Sequence, residues 1–228
     1  GYEGIEFFDG NVLDHEADGF RSMRTILDDA RLKLVAIYSG ANFIFGEILD
    51  EELARIERAA KAAEMLGAEH LVVGGGAKRA TGTRPADFDA LAHGLDRVMA
   101  LAKAHRLAAH YHPHLSTIVE GPDEVRTIFA KTDIGFCPDT AHLRAAGGVP
   151  ADMVREHKER ITYIHLKGWQ REPFAFVPVG EGDCDNGAVI AALKEIGYRG
   201  WITNELDVWP DPSAAARESL AFVKGRLG

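Results

Sequence analysis

Along this chain, short runs rich in β-branched residues alternate with stretches in which apolar residues recur every three or four positions. The runs, read as strands, fall at 4–8, 32–38, 70–73, 107–112, 134–137, 161–166 and 201–205. The intervening periodicity predicts helices near 14–31, 50–66, 86–105, 122–131, 150–159, 186–197 and 212–226. In 50–66, Leu53, Ile56, Ala60 and Ala63 share one face, with Asp50 as the expected N-cap. Pro122 before Asp123 and Glu124, and Pro150 before Asp152, read as helix starts. Proline is tolerated there because the first helical N–H lacks a partner in any case. Gly67 and Gly197 mark the turns from a helix into the next strand.

Strict alternation of seven β–α units predicts a parallel sheet covered by helices. A doubly wound sheet would carry a glycine-rich phosphate loop after its first strand, and Gly74-Gly75-Gly76 has neither that place nor that spacing. A (β/α)8 TIM barrel has eight units in about 250 residues. The chain opens on Gly1-Tyr2-Glu3-Gly4-Ile5-Glu6, which reads as a helix-to-strand turn. The expected fold is therefore an α/β barrel lacking its first β–α unit, with residues 1–228 forming a single domain. The longest stretch without either pattern, 168–183, carries Trp169, Arg171, Phe174 and Phe176 and is expected to be a lid.

Strand parity then organises the chemistry. Residues two apart share a face of a strand. His110, His112 and His114 fall on one face, with Ala109 and Tyr111 on the other. His165 and Lys167 share a face opposite Ile164 and Leu166, and Glu205 ends its strand in phase with Trp201 and Thr203. Asp139 closes the run 134–137, and His142 follows three residues later. Asp139 also reads as a helix N-cap, a lone strand histidine as a core residue, and Lys167 as a rim lysine. Four consecutive strands each delivering His, Asp or Glu at the same end favour one shared site, because in a barrel those ends converge. The set His112, Asp139, His165 and Glu205 mixes nitrogen and oxygen donors without thiolate, which suits one divalent ion: Mn²⁺, Co²⁺, Mg²⁺ or Zn²⁺. Glu6 shares a face with Gly4 and Phe8 and is expected to point into the barrel mouth, where a salt bridge is the alternative to a ligand contact.

Composition narrows this picture. Of 228 residues, 46% are hydrophobic and 27% charged, as in ordinary globular chains. Lysine and arginine number 26 against 35 acidic residues, a formal charge of −9, which works against binding nucleic acid. No apolar run approaches the roughly 18 residues of a membrane span. Cys137 and Cys184, the two cysteines, have no metal or redox spacing, so a cytoplasmic location is expected.

The motifs His112-Pro113-His114, Asp139-Thr140-Ala141-His142 and His165-Leu166-Lys167, with strand-end Glu205, resemble the xylose-isomerase-like TIM-barrel superfamily of sugar isomerases and epimerases. Within it, Tyr111-His112-Pro113-His114-Leu115-Ser116-Thr117 is most similar to the inosose dehydratase branch. The resemblance implies that Asp139, His165 and Glu205 bind metal, with Mn²⁺ or Co²⁺ favoured, and that His142 and Glu6 contact substrate. It also implies a departure. Many epimerases of this type end their fifth strand in glutamate, where this chain offers His112 or His114.

The implied activity is removal of water from a keto-inositol or related 2-keto polyol through an enediolate. Glu205, His142, Lys167 and His114 are the catalytic candidates, and Trp169 and Arg171 further substrate contacts. Alternatives are a ketose isomerase or epimerase using the same proton abstraction, and a sugar-binding barrel without turnover. A phosphodiesterase of the abasic-site endonuclease type would need more ligands and a basic groove. Expected partners are a small sugar or cyclitol and, in a homo-oligomer, further copies of the chain.

Overall fold

The computed structural model describes residues 1–228. Each predicted run contains a strand: β1 (Gly4–Phe8), β2 (Lys33–Ala41), β3 (His70–Gly75), β4 (Ala108–His112), β5 (Gly135–Phe136), β6 (Tyr163–Leu166) and, after two short strands, β9 (Trp201–Asn204). β1 to β5 pair in parallel in chain order. A parallel bridge from Asp139 to His165 carries the wall to β6, which pairs in parallel with β9. β9 and β1 are not hydrogen-bonded to each other, so the wall is open at that seam. A cavity of about 580 Å³ lies there, lined among others by Gly4, Glu6, Val35, Trp201, Thr203 and Glu205.

The helices are α1 (Asp9–Leu13), α2 (Arg21–Ala30), α3 (Gly46–Leu66), α4 (Pro85–Ala104), α5 (Pro122–Phe129), α6 (Thr140–Ala145), α7 (Pro150–Glu156), α8 (Asn186–Glu195) and α9 (Pro212–Leu227). α3 buries Leu49, Leu53, Ile56, Ala60 and Ala63, the stripe expected of a helix laid on a sheet. Its start differs from expectation. Glu52 accepts hydrogen bonds from the backbone N–H groups of Asn42 and Phe43, at 2.7 and 3.0 Å, and the helix begins at Gly46. Asp50 is inside the helix, paired with Arg97, and caps nothing. The predicted helix 14–31 is also broken. Gly19 and Phe20 adopt left-handed backbone, φ 69° and 63°, and the Asp18 carboxylate caps a fresh start at Arg21 and Ser22. Pro122 and Pro150 open α5 and α7 as expected, and Gly67 ends α3 at φ 80°.

The main core lies between sheet and helices, where Leu71, Val73, Tyr111, Ile164 and Leu166 meet the helical stripes. Each such aliphatic side chain contributes about 1.5–3 kcal/mol on burial. Inside the wall are Val35, Val72, Cys137 and Tyr163, with Trp201 and Tyr38 against them. The stretch 168–183 contains an antiparallel ribbon, β7 (Gly168–Gln170) with β8 (Ala175–Val177). No helix is long and apolar enough to cross a membrane.

Candidate metal centre

The polar groups lie on the inner face at the C-terminal ends of the strands, as parity predicts. His112 ends β4, His165 lies in β6, Glu205 follows β9, and Asp139 follows β5. One donor atom from each of these four residues lies within 4.8 Å of every other. His112 Nε2 is 3.6 Å from Asp139 Oδ2 and 4.0 Å from Glu205 Oε2. His165 Nδ1 is 2.6 Å from Glu205 Oε2, yet the two are not aligned as a hydrogen bond. Asp139 caps α6, its Oδ1 accepting the His142 backbone N–H at 2.9 Å, while Oδ2 faces the cluster without a partner.

His112, Asp139 and His165 are buried and Glu205 is partly so. Burial alone would raise both carboxyls. The surrounding imidazoles and Lys167 override it and hold Asp139 below the usual range and Glu205 well below it. Burial favours a neutral His165, but Cys137, Glu6 and Glu205 around it raise its pKa well above the usual imidazole range. Burial also pushes the Cys137 thiol up to about 11, so the two carboxylates supply that charge. The carboxylate charge gathered among these buried groups is what a divalent cation held by them would neutralise.

The donor set fits such an ion. Both ring nitrogens of His112, His165 Nδ1, Asp139 Oδ2 and Glu205 Oε2 are buried without hydrogen-bond partners. Orphaned buried polar atoms are rare and call for an explanation. Donors about 2.0–2.2 Å from an ion stand at most about 4.4 Å apart, so the cluster needs only a slight contraction.

Lys167 is fully buried, with Nζ 2.8 Å from Glu205 Oε1, 2.7 Å from Asp207 and 4.3 Å from the centre of the Phe176 ring. Burial would lower its pKa, but Asp139, Glu205 and Asp207 raise it to about 12. Lys167 is therefore a fixed cation and a poor proton donor near neutrality. His142 is buried with both ring nitrogens unpartnered, and burial lowers its pKa to about 3. His114 packs on it, tilted by 42° with 3.8 Å between ring centres, and its Nδ1–H donates to the Leu115 carbonyl, 2.7 Å away.

The outer candidates are placed differently. Glu6 faces inward, as expected, but its Oε2 lies 3.1 Å from His165 Nε2. Trp169 is buried against Ala141 and Cys184, anchoring the ribbon. Arg171 is exposed at the ribbon's turn, its guanidinium 5.6 Å from the Trp169 ring, outside the cluster. Asp207 and Tyr38 were not singled out from the sequence. Asp207 lies two residues beyond Glu205, so continued parity would have pointed to it. Tyr38 ends a predicted strand and meets His112 edge-on at 5.5 Å.

Several known proteins are similar to this chain in sequence or in fold. An inosose dehydratase from Clostridium botulinum (strain Eklund 17B / Type B) is 29% identical over 160 residues, covering 61% of this chain and 53% of that protein. The match thus spans about half the length of that relative. An inosose dehydratase from Geobacillus kaustophilus is 25% identical over 227 residues, covering 85% and 73%. Among solved structures, D-allulose 3-epimerase from Methylomonas sp. in complex with D-allulose superposes with a TM-score of 0.82 at 19% identity, covering 99% of this chain and 87% of that one. That likeness carries the fold alone. The profile of the xylose isomerase-like TIM barrel family matches residues 1–226, and the chain belongs to that family.

Proposed function

We propose that this protein is a metal-dependent lyase of the inosose dehydratase type, removing water from a keto-inositol or related 2-keto polyol through an enediolate. One observation carries the reading: four strands converge buried, unpartnered His, Asp and Glu atoms beside a closely packed histidine pair. The relatives named inosose dehydratase support it.

His112, Asp139, His165 and Glu205 would hold the ion, Mn²⁺ or Co²⁺ before Mg²⁺ or Zn²⁺. Such an ion, when bound, polarises a carbonyl and acidifies the adjacent C–H. Glu205 takes the proton from the carbon next to the carbonyl, its carboxylate oriented by Lys167. The Lys167 cation then offsets charge growing on substrate oxygen. His142 returns a proton to the departing β-hydroxyl, and His114, packed on its ring, holds it in place. Burial keeps the His142 ring neutral in the free protein, so the proton it delivers is one taken up as negative charge develops on bound substrate, and neither His142 nitrogen has a competing partner in the protein. Phe176 packs on both Lys167 and His142, so the ribbon anchored by Trp169 shields the intermediate from water. Arg171 would meet substrate at the rim, and Glu6 lies close enough behind His165 to feel its orientation.

A second reading rests on the same unpartnered His142. If it delivers its proton to carbon instead of oxygen, the reaction is a ketose epimerisation. Incubating metal-loaded protein with inososes and ketoses in deuterated water, followed by NMR, separates the two. A dehydrated product is expected. Deuterated epimers without dehydration would overturn the lyase assignment in favour of the epimerase, and tight sugar binding without exchange would mark a binding barrel.

A further inference from the structure

Glu6 stands apart from the other acidic residues near the centre, because it touches a ligand-type side chain on the side facing away from the cluster. Its Oε2 is 3.1 Å from His165 Nε2, while His165 Nδ1 faces Glu205. The contact crosses the barrel interior from β1 to β6, strands that do not pair. Both partners are shielded, with side-chain exposures of 12% for Glu6 and 2% for His165.

The local backbone is built for this contact. The pairing of β1 with β2 shifts register between Ile5 and Glu6, which oppose Leu34 and Ala36 and leave Val35 as the extra residue. Such bulges twist a strand and re-aim the next side chain. Val35 packs into the space beside Gly4, where an added Cβ would fall 2.4 Å from Val35 Cγ1. Gly4 therefore admits the bulge, and the bulge directs Glu6 to the imidazole.

A carboxylate can only accept a hydrogen bond, so a contact at Nε2 requires the hydrogen there. The neutral ring then has its lone pair on Nδ1, the nitrogen facing Glu205. We propose that Glu6 is a positioning residue that holds the hydrogen of His165 on Nε2 and so commits Nδ1 to a divalent metal. This inference rests on the metal reading above. Carboxylate partners of ligating histidines fix tautomer and ring orientation in the same physical way, and losing one typically weakens metal binding about 10–100-fold. The role differs from direct substrate contact, because Glu6 acts through His165.

The test uses Glu6→Gln and Glu6→Ala in the full chain, with Mn²⁺ affinity measured by competition against a chelator and folding followed by thermal unfolding. A glutamine amide can turn either its oxygen or its nitrogen to the ring, so it removes the tautomer bias while keeping the volume. Both variants are expected to bind Mn²⁺ about 10–100-fold more weakly. In zinc-loaded wild-type protein with ¹⁵N-labelled histidine, the His165 proton is expected on Nε2. Unchanged Mn²⁺ affinity in both variants overturns the proposal and leaves the metal reading standing, as does a loss confined to substrate KM at saturating metal. A zinc-loaded wild type with the His165 proton on Nδ1 also overturns it, and needs no variant to fold. Wild-type protein that binds none of Mn²⁺, Co²⁺, Mg²⁺ or Zn²⁺ sinks the metal reading and this inference together.

Discussion

The barrel interior holds two clusters of buried histidine, and they are put together differently. Lower in the wall, His70 Nδ1 meets His110 Nε2 at 3.0 Å, and the Tyr163 hydroxyl meets Thr203 Oγ1 at 2.8 Å. Burial lowers the pKa of both histidines, that of His110 to about 3, so the pair is neutral and can share one hydrogen. That cluster leaves one buried atom, His110 Nδ1, without a partner. At the mouth, His112, Asp139, His142, His165 and Glu205 leave seven. Unmet hydrogen-bonding capacity in a dry interior costs about 1–3 kcal/mol per group. The lower cluster therefore reads as structure, while the upper one reads as a site whose cost a ligand recovers.

The sharpest way to break this contrast is Glu205→Gln. It removes a proposed ligand charge, the partner of Lys167 and the proposed base together, and turnover should fall by about 10³-fold or more, in the upper part of the roughly 10²–10⁴-fold usual for one acid–base group. Steady-state rates at saturating metal check this, and a fall below tenfold would mean that the upper cluster is not the reacting centre. His142→Ala comes next. Elimination should slow about 10²–10³-fold, and more than exchange of the α-hydrogen with solvent deuterium. Equal slowing of both would move His142 from proton donor to general architecture.

The lower cluster should answer in stability instead. His110→Ala strands His70 and opens a cavity, costing about 2–4 kcal/mol in urea unfolding, with Mn²⁺ affinity kept within about threefold, less than 1 kcal/mol. A large loss of metal affinity would show that the two clusters are one unit. A smaller effect is expected at Gly135. A Cβ there would fall 2.7 Å from His110 Nδ1 and 2.8 Å from the Ala109 carbonyl oxygen. Gly135→Ala should therefore cost about 1–3 kcal/mol of unfolding free energy through overpacking, again with metal binding retained.

Much of the centre was legible because it depends on parity, which is local. Alternation alone put His112 opposite Tyr111 and His165 opposite Ile164, and the structure keeps both separations. What escaped depends on contacts distant in sequence or on elements too short to have a period. The three-residue strands β7 and β8 offer no alternation to read. The break at Gly19–Phe20 is made by two left-handed residues and an aspartate cap, neither of which interrupts apolar spacing. The start of α3 depends on Glu52 reaching back to the turn at 42–43. Glu6 could be assigned a face but not a partner, because its contact spans 159 positions and follows from a register shift. The seven parallel strands were readable, and the open seam between β9 and β1 matches the count of one fewer than a closed barrel requires.

Asp139 serves two parts of the site with a single carboxylate. One oxygen holds the backbone N–H of His142 and the other looks into the cluster. Any tug on Oδ2 is delivered, through a rigid planar group, to the first turn of α6 and hence to the imidazole riding on it. The proposed proton donor would in this sense be geared to the proposed ligand shell: filling the centre and setting the angle of His142 would become one event, and an ion that seated poorly would also leave the donor misaligned. Metals of different radius should for that reason differ in rate by more than their acidity alone would give.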